Sequence, residues 1–198
     1  MRSFKPFIPD SLPGFPEIDD SVPLDIEIGC GVGWHPISYA SANPDRRLIA
    51  IEHTKEKYEK FLRRYQRHKL PNLNPIHANA ISYLGAHLQP NMVDRFFFLY
   101  PNPNPKNASR RFSQMPFIRF LIETLNDMGQ MTFVSNESWY IEEVNSSLSD
   151  YFLKTDTKML SMCRDHQFAY RTHFEKKYLE SGQTCYEITL TGKNKQLS

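Results

Sequence analysis

Short apolar runs and helical repeats alternate along this chain, and that order restricts its fold more than any other feature. LDIEIG (24–29), RLIAIE (47–52), NLNPIHA (72–78), MVDRFFFLY (92–100) and QMTFVSN (130–136) read as strands. Each is followed by a segment with helical character: 34–43, 54–70, 81–88, 110–129 and 138–150. Thr54 opens the second of these, and Gly129 stands where it would close the fourth. Alternating strands and helices predict an α/β fold with a mostly parallel sheet covered on both faces. Two late runs, YFLKTDTKML (151–160) and TCYEITLTG (184–192), have no long helical pattern between them. They are expected to form an antiparallel C-terminal hairpin, joined by an irregular segment over 161–182. The sheet would then have seven strands.

Length and composition add bounds. A chain of 198 residues with 40% hydrophobic and 23% charged residues can bury one ordinary core. Net charge is only +2, so a nucleic-acid partner would have to be met by local basic patches. Cys30, Cys163 and Cys185 are far apart and odd in number. They suggest neither a metal site nor a disulfide framework, and a reducing, cytoplasmic setting is expected. His35, His53, His77, His166 and His173 are scattered and suggest no metal site. No apolar run reaches membrane-spanning length. Residues 1–23 lack a signal-peptide pattern and are rich in proline, which predicts an extended arm beside a domain over 24–198.

The stretch DIEIGCGVGWHP places Gly29, Gly31 and Gly33 between the first strand and the first helix. Glycines there permit a tight turn and close backbone approach to a ligand. Glu52 ends the next strand, where a carboxylate can accept both hydroxyls of a ribose. The dinucleotide fingerprint G-x-G-x-x-G does not fit: the glycines run G-x-G-x-G-W, and counting from Gly31 puts Pro36 at the third glycine. Preceded by Glu27, the loop resembles the first motif of class I S-adenosylmethionine-dependent methyltransferases, whose sheet has the strand order expected above.

Further motifs extend the resemblance. IEIGCGVGWHPISYASANPDRRLIAIE is similar to the opening of the bacterial tRNA (guanine-N7)-methyltransferases. NAISYL (79–84) occupies the place of that family's Asp-Ala-x-x-x-Leu motif, and FLYPNPNPKNASRRF (98–112) that of its Phe-Pro-Asp-Pro-Trp-Pro-Lys loop. VSNESWY (134–140) stands where the family has Thr-Asp before a helix, and RTHFEKKYLESGQTCYEITL (171–190) resembles its closing Thr-x-Phe-Glu motif. The resemblance implies a Rossmann-like fold, S-adenosylmethionine as cofactor with S-adenosylhomocysteine as product, and methyl transfer to N7 of a guanine in tRNA. It further implies a cofactor site at Glu27, Gly29, Gly31, Gly33, Glu52, Asn79, Ala80 and Tyr100. The reaction would fall to Asn102, Asn136 and Glu175, and substrate contact to Lys106, Arg110, Arg111, Thr172 and Glu175. The partner would be tRNA or another RNA, with no membrane and no metal, and the protein a monomer or homodimer.

Departures from the family pattern keep alternatives open. Asn79, Asn102 and Asn136 replace family aspartates, and Asn104 replaces the loop tryptophan. Asparagine retains an acceptor but loses the charge, about 1–2 kcal/mol per site. A divergent member that binds S-adenosylmethionine or RNA with weak or no guanine methylation is one alternative; a methyltransferase with another substrate is the second. The basic helix over 54–70 reads as an ordinary solvated charged face, with contact to tRNA phosphates as the alternative.

Overall fold

The computed structural model describes residues 4–17, 19, 21–161 and 170–195. Strand β1 (Leu24–Ile28) is buried at every position and so has neighbours on both faces. It is followed by α1 (Trp34–Ala42), β2 (Arg47–Glu52), α2 (Lys55–His68), β3 (Leu73–His77), α3 (Ala80–His87), β4 (Val93–Leu99), α4 (Pro116–Thr124), β5 (Leu125–Ser135), α5 (Ser138–Leu148), β6 (Phe152–Leu160), α6 (His173–Glu180) and β7 (Cys185–Lys193). The seven strands form one sheet in the order β3-β2-β1-β4-β5-β7-β6. The pairs β2–β3, β1–β2, β1–β4 and β4–β5 are parallel, whereas β7 runs antiparallel to both β5 and β6. Successive side chains of β2 separate onto two faces. Ile49 and Ile51 join a core with residues of α3, α4 and α5; Leu48 and Ala50 join one with Ile37 of α1 and Phe61 of α2. The α/β fold, the antiparallel hairpin and the covering of both faces are as the alternation predicts.

Two expectations are corrected. A single long helix over 110–129 does not form. Two short 3-10 turns occupy 108–114, α4 starts at Pro116, and the chain turns straight into β5 after Thr124. Gly129 therefore caps no helix. Val93 pairs with Leu125 and Arg95 with Gln130, so residues 126–129 bulge opposite Asp94 alone. A Cβ at Gly129 would lie 2.9 Å from the Asn126 carbonyl, which is why the bulge has glycine. Second, the segment over 161–182 contains α6. Thr172 and Glu175 are a capping pair: Thr172 Oγ1 accepts from Glu175 N (3.0 Å), and Glu175 Oε2 accepts from Arg171 N (2.7 Å). Cys163 and His166 lie outside the described residues.

The N-terminal arm lies against α3 and α4. Phe4 packs on Phe117 and Phe120, Phe15 packs on His87, and Tyr83 Oη donates to the Gly14 carbonyl (3.2 Å). Among the described residues no helix is long and apolar enough to cross a membrane.

Candidate active site at the carboxyl edge of the sheet

The strand order reverses between β1 and β4, and the loops that leave these two strands diverge at their carboxyl ends. In open α/β sheets that crevice binds ligands. Here it is a cavity of about 720 Å³. Its wall on the β1 side is the glycine loop. Gly29, Gly31 and Gly33 have φ of 78°, 60° and 83°, a region that L side chains rarely adopt. The three serve two purposes. At Gly29 and Gly31 a Cβ would meet nothing within 4 Å, and both residues line the cavity, so their missing side chains leave it room. At Gly33 a Cβ would lie 2.0 Å from the Phe61 ring, so this glycine lets α1 close on α2, and it does not line the cavity.

Two carboxylates are fixed around this loop. Glu52, 5% exposed, accepts from Gly31 N (2.8 Å) on one oxygen and from Thr54 N (2.7 Å) on the other. Each oxygen keeps a second lone pair, enough for two ligand hydroxyls. Glu27 lies on β1 with Oε2 2.7 Å from Nδ1 of the buried His35. Burial pushes the Cys30 thiol well above its ordinary value, with Glu27 and Glu52 adding to the effect, so it stays protonated and unreactive.

The opposite wall is the proline loop after β4. Tyr100 turns the chain at φ 53°, and its backbone N–H donates to Val134 O (2.8 Å). Asn102 Oδ1 then accepts from Asn104 N (3.0 Å), an Asx turn around Pro103. Asn104 occupies the left-handed region at φ 41°, which asparagine tolerates better than a bulky residue. Arg111, only 9% exposed, clamps this loop from behind. Its guanidinium donates to both oxygens of Glu143 on α5 (2.9 and 2.5 Å) and to Asn104 O (3.1 Å). Lys106 and Arg110 are exposed on the same segment.

The third wall comes from β5 and α6. Asn136 follows β5 and directs its Nδ2 to Glu137 Oε1 and Gln183 Oε1, both at 3.3 Å, which leaves its carbonyl as the acceptor for a ligand. Thr172, the N-cap of α6, and His173, Phe174 and Tyr178 within that helix line the cavity.

The structure thus gathers Glu27, Gly29, Gly31, Glu52, Tyr100, Asn102, Asn136 and Thr172 around one cavity. Other residues expected at the site are placed elsewhere. Asn79 caps α3, its Oδ1 accepting from Ile81 N (2.9 Å), and Ala80 packs against the core. Glu175 is fully buried and does not line the cavity. Its oxygens accept from the Arg171 side chain and backbone and from Tyr100 Oη (3.2 Å). Arg171 also holds Glu187, which Lys158 reaches from β6. Burial drives the Tyr100 hydroxyl far above its ordinary value, reinforced by Cys185 and Glu175, so it is a neutral donor at every working pH. Arg111 is committed to its clamp and is no free cation. Trp34, His173, Phe174 and Tyr178 carry no motif in the sequence: the first three are aromatic residues at the start of a helix and Tyr178 lies further along α6. The T-x-x-E spacing of a capping box was the signal for α6.

The sheet order, the glycine loop and the ribose-competent Glu52 define a class I S-adenosylmethionine-dependent methyltransferase. The side-chain-free cradle at Gly29 and Gly31 and the two free lone pairs of Glu52 fit that cofactor. A family model described as "Putative methyltransferase" matches residues 21–188, and the chain belongs to that family. The chain is 28% identical over 205 residues to the tRNA (guanine-N(7)-)-methyltransferase of Staphylococcus aureus strain Newman, covering 93% of this chain and 94% of that protein. Among solved structures, the 16S rRNA methyltransferase KamB superposes with a TM-score of 0.64 at 17% identity, covering 88% of this chain and 89% of that one. Precorrin-6y C5,15-methyltransferase from Geobacter metallireducens gives 0.62 at 15% identity, covering 87% and 81%. The two superpositions establish a shared fold.

Proposed function

We propose that this protein methylates N7 of a guanine in tRNA, as a cytoplasmic enzyme. The observation that carries the reading is one continuous cavity with the glycine loop and Glu52 on one side and Asn102, Asn136 and Thr172 on the other. The near full-length similarity to a tRNA (guanine-N(7)-)-methyltransferase supports the choice of substrate.

Gly29, Gly31 and Glu52 would hold the cofactor, with Glu27 and Tyr100 beside them. S-adenosylmethionine, when bound, supplies a methyl group on a positively charged sulfur. Guanine N7 carries an in-plane lone pair and no proton, so the protein needs no general base. Its task is to position the base and to exclude water. Asn136 offers a carbonyl to the N1–H and exocyclic amine of the guanine Watson–Crick edge. Asn102 stands in a fixed direction because its Asx turn and the flanking prolines stiffen the loop. Neutral carbonyl dipoles also favour the positive charge that develops on the ring. Glu175 supports the site from below by holding Arg171 and Tyr100. Exposed Lys106 and Arg110 are the candidates for tRNA phosphates.

The test is methyl transfer from labelled S-adenosylmethionine to an unmodified tRNA transcript, followed by chemical cleavage at 7-methylguanine. Transfer to one guanine is expected. Asn136→Ala should slow it about tenfold or more while leaving cofactor affinity unchanged. Micromolar cofactor binding without transfer to any guanine N7 would refute the reading.

A further inference from the structure

The mouth of the cavity is framed by aromatic rings that the cofactor contacts named above do not use. Trp34 is the first residue of α1, next to the glycine loop. His173 and Phe174 are the first two residues of α6. All three line the cavity. The Trp34 and His173 rings stand perpendicular (88°) with centroids 6.2 Å apart. A planar group laid on one of them meets the other edge-on, a corner that suits a flat heterocycle. Phe174 is 38% exposed; of the large hydrophobic side chains exposed among the described residues, it is the one that lines this cavity. Lys177, exposed on the same helix, lies 5.9 Å from the Tyr178 ring centroid and adds a cation beside the rings.

We infer that Trp34, His173 and Phe174 form a stacking platform for a purine base, so that the substrate guanine is bound unpaired. The inference rests on the proposed reaction. Two physical arguments carry it further than that reaction alone. In an RNA helix N7 faces the deep, narrow major groove, which side chains cannot enter. The Asn136 carbonyl can read the Watson–Crick edge only when no partner base occupies it. A base presented outside a helix for both reasons has no stacking neighbours of its own, and aromatic faces at the mouth supply them. The platform joins two helices remote in sequence, so a bound base also ties α6 to the glycine loop.

Tryptophan fluorescence reads the platform without turnover, because the chain has only two tryptophans, Trp34 and Trp139. The probe is a short single-stranded oligoribonucleotide of alternating guanine and uracil, added to the full-length protein with S-adenosylhomocysteine present. Quenching of emission is expected, and Trp34→Phe should abolish the quenching while retaining most of the affinity. Trp34→Ala and Phe174→Ala should each weaken RNA binding about tenfold or more, with S-adenosylhomocysteine affinity unchanged. The same oligonucleotide annealed to its complement should bind more weakly and quench little. Equal quenching by the duplex, or unchanged RNA affinity in both alanine variants, would overturn the inference. So would quenching by S-adenosylhomocysteine alone that RNA does not increase, because the rings would then serve the cofactor's adenine. If tRNA methylation fails but single-strand quenching persists, the reaction assignment fails and the platform stands. If methylation succeeds and neither alanine variant weakens RNA binding, the platform alone is wrong.

Discussion

Single residues in this site have effects that their motif does not distinguish. Gly31 and Gly33 belong to one glycine repeat but face different surroundings. Gly31→Ala places a methyl group in open space at φ 60°, so its stability cost is about 1–2 kcal/mol of backbone strain, and the loss should appear as weakened S-adenosylmethionine binding. Gly33→Ala drives a methyl group to 2.0 Å from Phe61, and thermal unfolding should show the larger loss of stability. Glu175 is a second case. Replacement by Gln leaves Arg171 with Glu187 as its remaining charged partner, removes the charge from the bonds that Arg171 and Tyr100 make to a fully buried group, and should cost about 1–3 kcal/mol in denaturant unfolding. A substrate-facing carboxylate would instead lose turnover with stability intact, so the two measurements separate the roles. The asparagines of the proline loop also gain a reason: Asn102 closes an Asx turn and Asn104 adopts a left-handed backbone.

At the scale of elements, the loop between β4 and α4 divides its cations by burial. Arg111 is nearly buried and bonds α5 through Glu143, whereas Lys106 and Arg110 are exposed. Arg111→Ala should therefore lower stability by about 3 kcal/mol, because Glu143 is left without its main partner. Lys106→Ala and Arg110→Ala should leave the melting temperature unchanged. Each should weaken tRNA binding and reduce the slope of log affinity against log salt by about 1. Sequence reasoning treated all three alike because a basic residue after a proline loop looks the same whichever way it points. The β strands were legible from their apolar runs. The helix expected over 110–129 was not, because its pattern is shared by 3-10 turns, a helix and a bulged strand entry. The capping box at Thr172 and Glu175 was legible as spacing, although α6 itself was not read from it.

Over the whole molecule, part-buried ion pairs connect the site to the sheet edge and make stability depend on acid. Burial raises the Glu187 and Glu143 carboxyls, but Arg171 with Lys158, and Arg111 with Ser113, outweigh it and hold both below the ordinary 4.5. A folded value below the unfolded one means that stabilisation is complete above about pH 4.5 and is lost as pH falls through the lowered values. Thermal unfolding midpoints should fall on that side, and Glu187→Gln should flatten the acid limb. By itself the sequence determined the α/β class, the hairpin, the glycine loop with Glu52 and the proline loop, since strand runs, helical spacing and turn residues act on near neighbours along the chain. Only the tertiary structure decided which polar groups are spent on the fold and which are left for a ligand. Arg111 meets Glu143 at a separation of 32 residues and Tyr100 meets Glu175 at 75. A long polar side chain takes whatever partner folding brings within reach, and nothing in its local sequence names that partner.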